Sequence, residues 1–169
     1  DSERPLLTPD PFSGLSIGLS NCRPTSRGEI TLKSADPFAH PQIVANAFST
    51  DHDVQEMLHA VKYLRKIADQ EPIRSLIAEE LRPGPAVRTD EELIADFRAR
   101  SGTVYHPSCT ARMGPDPGSS VVDSDLRVHG VSGLRVCDAS VFPTLIGGNT
   151  NAPSILVGWM GAERILASI

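Results

Sequence analysis

The sequence is short of several things that would point to common functions. Aromatic residues make up 5% of its 169 positions, and no Lys/Arg run exceeds two residues within a formal charge of -5. Nucleic acid is therefore a poor fit as a partner, since its binders concentrate cations on one face. No apolar run approaches the roughly 20 residues of a membrane span. There is no GxSxG elbow, no HExxH pair and no glycine-rich phosphate loop, which leaves serine hydrolase, zinc peptidase and nucleotide-triphosphatase chemistry without their usual supports. Nor is there a GxGxxG turn. Cysteine occurs three times (Cys22, Cys109, Cys137) with no CxxC spacing. An odd, scattered set reads as reduced thiols, and with them comes an expectation of a cytoplasmic protein. The opening Asp1-Ser2-Glu3-Arg4-Pro5 has no initiator Met and no leader-like apolar core, so the chain is expected to begin within a longer protein.

What is present is 40% hydrophobic residue, 14 prolines and 13 glycines, a composition for one compact unit or two small lobes with many turns. Leu15–Leu19 and Glu29–Lys33 alternate apolar with small or polar residues around Arg27-Gly28, which predicts a hairpin over 15–33. Residues 38–48, with two prolines in and before them, read as an extended loop. Helical spacing then sets in at Val54, Met57, Leu58, Val61 and Leu64, with Thr50 or Asp51 as cap, predicting a helix over 51–69. His52 and His59 ride on it as surface residues. A second helix is expected at 73–81. A third is expected at 90–100, opened by the capping-box run Thr89-Asp90-Glu91-Glu92.

The last third carries the candidate chemistry. His106 follows a short β-prone run and is held extended by Pro107. A buried strand is expected at 134–137, stopping at Asp138-Ala139-Ser140. Gly147-Gly148-Asn149-Thr150 then turns into a final helix, about 152–168, with Pro153 in its first turn. Strand, small-residue turn and helix N-terminus make a corner where free N–H groups favour an anion. The broad apolar stripe Ile155, Leu156, Trp159, Met160, Ile165 and Leu166 predicts burial of that helix on more than one side. By its type alone, a single His before Pro reads as a structural residue.

The run Tyr105-His106-Pro107-Ser108-Cys109-Thr110-Ala111-Arg112-Met113-Gly114 changes that balance. With Leu126-Arg127-Val128-His129-Gly130, Gly133-Leu134-Arg135-Val136-Cys137-Asp138-Ala139-Ser140 and Gly147-Gly148-Asn149-Thr150-Asn151-Ala152-Pro153, it resembles the C-terminal signature of the glucose–methanol–choline (GMC) flavoprotein oxidoreductases, in their choline dehydrogenase-like form. Ser26–Leu32 and Ser34–Pro37 resemble that family's substrate-domain hairpin, so the likeness covers most of the chain. It implies an α+β and α/β architecture, the C-terminal part of a two-domain fold. Residues 1–102 would belong to the substrate-binding domain, and 103–169 to the active-site loop with the last strand and helix of the FAD-binding domain.

By the same resemblance, FAD is the cofactor and a small-molecule alcohol the substrate, oxidised by hydride transfer to flavin N5. His106 matches the active-site base, and Asn149 the second residue holding the substrate hydroxyl. Tyr105, His106, Asp138, Ala139, Asn149 and Thr150 match cofactor-contact positions. The family usually has Gly and then Cys where this chain has Cys109 and Ala111. Its N-terminal FAD-binding unit is absent from these 169 residues and is the partner the resemblance implies, as part of the same gene product or as a second chain. The competing reading is a non-catalytic structural or interaction subunit that keeps the fold.

Overall fold

A computed structural model describes residues 10–169. Its elements are β1 (Glu29–Thr31), β2 (Gln42–Val44), α1 (Asp51–Ala68), α2 (Ile73–Leu76), α3 (Asp90–Arg100), a 3-10 turn (Ala139–Val141) and α4 (Asn151–Leu166). Among the described residues no helix is long and apolar enough to cross a membrane.

Local chemistry explains where the longer helices start. Thr50 caps α1 through its side chain, which accepts from Asp53 N. At α3 the capping box closes in both directions: Glu92 N donates to Thr89 Oγ1 at 3.2 Å and Thr89 N to Glu92 Oε2 at 2.9 Å. The two helices bury Val54, Met57, Leu58, Leu93 and Phe97 against one another. The Phe48 and Phe97 rings meet at 5.1 Å in a tilted pair.

Asp53 pins the chain before β1 to this helix pair. It is 2% exposed and accepts from Thr25 N at 2.7 Å, Thr25 Oγ1 at 2.9 Å and Ser26 N at 2.8 Å. Burial alone would raise its pKa. The hydrogen bonds from Ser26 and Thr25 outweigh that and hold the carboxyl far below the usual carboxylate range.

The strand pairing departs from expectation. Leu15–Leu19 form no strand, and Glu29–Thr31 pairs instead with Gln42–Val44, antiparallel, Ile30 opposite Ile43. Thus β2 lies inside the segment read as an extended loop. Backbone crowding gives the reason: a Cβ on Gly28 would sit 2.1 Å from Val44 O, so only glycine permits this approach. Asn46 Nδ2 then ties the partner back to Arg27 O at 2.9 Å. Leu19 packs on the α1–α3 cluster.

The second helix is also shorter than expected, ending at Leu76, with Ile77 extended. Arg65 of α1 pulls the following chain across: its Nη2 donates to Glu80 Oε1 at 2.9 Å and to Gly84 O at 3.2 Å.

Residues 103–150 hold little regular structure and are organised around Val122, which is 0% exposed. Val122, Leu126, Val141 and Phe142 form a second buried cluster, flanked by Cys109, Met113, Val136, Cys137, Ile146 and Val157. The segment expected as a strand at 134–137 is half-exposed to exposed and joins its neighbour through one bridge, Arg127 to Arg135. Val128 N to Leu134 O (3.0 Å) and Val136 N to Leu126 O (3.1 Å) complete the arm. Helix α4 packs on the 3-10 turn. The wide burial expected for α4 is not met within these residues: only Gly161 is buried, while Trp159 is 66% exposed and Ile155, Leu156 and Leu166 are exposed too.

Candidate active site

Three backbone hydrogen bonds fix the loop after His106. Cys109 N donates to Ala139 O (3.3 Å), Ala111 N to Ser140 O (2.9 Å) and Met113 N to Val141 O (2.8 Å). The loop therefore runs along the 3-10 turn and takes its position from it. Asp138 makes the turn itself, its Oδ1 accepting from Ser140 N at 2.8 Å and from the Ser140 hydroxyl. Its carboxylate thus has a local capping task.

The loop is conformationally strained. Tyr105 has φ +61 and Cys109 φ +71, both in the left-handed region. A side chain there costs roughly 1–2 kcal/mol per residue relative to the right-handed region. A glycine at position 109 would avoid that cost. Ala139 and the rest of the second cluster hold the strained residue in place, with Cys109 half-buried against them.

Of the six candidate residues, the structure joins two across the chain. His106 Nδ1 lies 3.0 Å from Thr150 Oγ1, which sets the imidazole at the start of α4. His106 is half-buried and Thr150 is 9% exposed. Among the described residues nothing hydrogen-bonds His106 Nε2. Asn149, next to Thr150 in the chain, is exposed, and its amide makes no hydrogen bond to His106. Tyr105 is 67% exposed. The role of Thr150 as the partner of His106 was missed in the sequence, which marked it only as a cofactor contact. The available signal was Pro153, which denies that threonine one of its usual capping partners.

The N-terminus of α4 offers donors. The first intrahelical bond is Ser154 N to Thr150 O at 3.0 Å, so the N–H groups of Asn151 and Ala152 precede the ladder and point away from it. Just before, Gly147 and Gly148 have no heavy atom within 4 Å of an added Cβ, and neither has a positive φ. Nothing among the described residues requires glycine at either position. Their bareness leaves room for a flat group to approach the backbone.

His129 looks similar in type and serves differently. Its Nε2 is 3.1 Å from both Ser120 Oγ and Gly114 O, fastening the loop end to the arm. A hollow of about 1060 Å³ lies between residues 127–135 and the end of α4 and contains none of the six candidates. It is an open trough in the exposed flank. Among the described residues no group of three or more His, Cys, Asp or Glu side chains could hold a metal ion.

A small antiparallel ladder beside a helix pair, followed by a loop-rich unit closed by one long helix, is the C-terminal part of an oxidoreductase fold with a histidine-bearing loop. The chain belongs to the GMC oxidoreductase family, whose C-terminal family model matches residues 24–158. It is 43% identical over 156 residues to an alcohol dehydrogenase [acceptor] of Pseudomonas putida, covering 92% of this chain and 28% of that protein. Likeness to an oxygen-dependent choline dehydrogenase of Serratia proteamaculans is 42% over 152 residues, 90% of this chain and 27% of that one. A solved fungal aryl-alcohol oxidase superposes with TM-score 0.79 at 38% identity, over 87% of this chain and 24% of that one. An FAD-dependent oxidoreductase from Chaetomium thermophilum gives 0.81 at 31%, over 87% and 26%. The chain thus spans about a quarter of the length of the relatives it matches.

Proposed function

We propose that this chain is the C-terminal part of an FAD-dependent enzyme that oxidises an alcohol, with His106 as the base. The observation that carries this is His106 held through Nδ1 at the N-terminus of α4, with Nε2 free of any described partner and the bare Gly147-Gly148 turn beside it. These residues fit FAD: an open backbone for a flat ring, N–H groups of Asn151 and Ala152 for its electron-rich edge, and no carboxylate needed as a metal ligand. When bound, FAD supplies the acceptor for the hydride.

The chain's own residues do the rest. His106 Nε2 takes the proton as the O–H bond of the alcohol breaks and the C–H electron pair departs with its hydrogen as hydride. A positioned base of this kind contributes about 10²–10⁴ in rate. Asn149 donates its amide N–H to the alcohol oxygen as negative charge grows there. The helix N-terminus stabilises negative charge on its ligand by roughly 0.3–1 kcal/mol, more where buried. In this reading residues 103–169 face the cofactor and the preceding ones the substrate, and a companion FAD-binding part covers the exposed face of α4 around Trp159.

The test is expression with and without the N-terminal part of the enzyme. Together they are expected to give a yellow complex whose flavin absorbance bleaches when an alcohol is added without oxygen. Full-strength FAD binding by the 169-residue chain alone would contradict this division of the site. A colourless but stable complex would favour the structural-subunit alternative.

A further inference from the structure

The geometry points to Thr150 as a positioning residue that selects the tautomer of His106, keeping the proton on Nδ1 and the lone pair on Nε2. This rests on the reading of His106 as the base. Thr150 is the N-cap of α4, and a threonine there ordinarily turns its hydroxyl to the N–H of the second or third helical residue. Here the third residue is Pro153, which has no N–H. The backbone of Thr150, at φ -84 and ψ -9, is also helical where an N-cap is usually extended, and the side chain makes no capping bond.

The cap's carbonyl is occupied instead. It accepts from Ser154 N at 3.0 Å and from Ser154 Oγ at 2.6 Å. What remains is the hydroxyl of a buried threonine, and the one partner the described residues give it is His106 Nδ1 at 3.0 Å. A helix start has been built so that its capping group serves an imidazole.

A hydroxyl can donate or accept, so the 3.0 Å contact admits either direction, and the base role of His106 selects one. A neutral imidazole has one N–H and one lone pair. With Nδ1–H donating to Thr150 Oγ1, the lone pair is at Nε2, the nitrogen no described residue occupies. Once Nε2 has taken a proton from the alcohol, Nδ1–H still donates to the same oxygen, so nothing reorients during the transfer. With the hydroxyl donating to Nδ1 instead, Nε2 would carry the hydrogen and could accept none.

The experiment uses the FAD-loaded enzyme carrying Thr150→Val, Thr150→Ala or Thr150→Ser, with rates expressed per bound flavin. Removing the hydroxyl is expected to slow flavin reduction at saturating alcohol about tenfold, the worth of one hydrogen bond, while Ser restores the rate to within about twofold. In enzyme labelled with ¹⁵N-histidine, wild type and Thr150→Ser are expected to show the N–H of His106 on Nδ1. Thr150→Val is expected to show a mixture or the reverse. Equal losses in Ser and Val, or unchanged nitrogen signals and rate in Val, would overturn the assignment. His106→Ala separates the two levels: a slow His106→Ala with a normal Thr150→Val sinks the tautomer role alone, whereas a normal His106→Ala sinks the base and this role together.

Discussion

Gly161 of α4 lies so close over Cys137 that a Cβ added to it would sit 2.5 Å from the cysteine Sγ and 3.0 Å from its Cβ. Cys137 leads directly into Asp138 and the 3-10 turn that positions the His106 loop, while α4 leads back to Thr150. This contact, with Val157 packed on the same cluster, holds α4 against the segment that carries the 3-10 turn.

Gly161→Ala is expected to destabilise the flavin-loaded enzyme by about 1–3 kcal/mol through overpacking, despite the gain of about 1 kcal/mol in helix propensity. Cys137→Ala in the same chain removes the Sγ and is expected to recover much of the loss. Thermal unfolding of the two single variants and the double variant measures the coupling. Purely additive effects would mean the two residues do not press on each other.

His106→Ala is expected to retain FAD and to lose about 10²–10⁴ in the rate of flavin reduction by alcohol. Anaerobic stopped-flow, normalised to bound flavin, is the measurement. A low flavin content with a normal rate per flavin would assign His106 a structural task only.

Asn149→Asp introduces a carboxylate beside the free N–H groups of Asn151 and Ala152 at almost unchanged shape. Added negative charge there opposes electron arrival, so flavin potential and turnover are both expected to fall while the unfolding temperature stays put. Redox titration checks it, and an unchanged potential would place Asn149 away from the cofactor.

Asp53 gives the pH prediction. Its carboxyl is held below the ordinary range when folded and returns to about 3.9 on unfolding. The folded state therefore binds fewer protons, and the stabilisation is complete above that unfolded value and lost as pH falls through it toward the folded one. Asp53→Asn keeps one acceptor but sets an NH₂ against donors from Thr25 or Ser26. It is expected to cost about 2–3 kcal/mol near neutral pH. Urea unfolding followed from neutral pH into acid is expected to show the wild type losing this advantage and converging on the variant. Parallel curves would show that the carboxylate contributes no proton linkage.

Much of the local structure could be read from residue order because its causes are local. Thr50 and Thr89 cap α1 and α3 within three residues of themselves, and the apolar period selects the faces that meet at Val54, Leu58, Leu93 and Phe97. The motif run from Tyr105 to Gly114 and the Gly147–Pro153 turn likewise identified the family and marked His106 and Asn149 before any coordinates. Pairing partners were a different matter. Alternation told that Glu29–Thr31 is a strand, but its partner was decided by the carbonyls of Val44 and Ala45 closing on Gly28, a contact between backbones that side-chain pattern does not encode. Helix two ends at Leu76, and the chain beyond it is tied to Arg65 of another helix through Glu80 and Gly84, contacts far apart in sequence. The apolar stripe of α4 revealed that the helix wants cover, and only the fold revealed that within these residues full burial is reached at Gly161, with Val157 half-buried on the second cluster. Sequence alone determined which side-chain types are on hand, since that depends on residue identity. The meeting of His106 with Thr150 was decided by tertiary structure, because the stitching of residues 109–113 to the 3-10 turn and the packing of Gly161 on Cys137 bring together groups 44 positions apart.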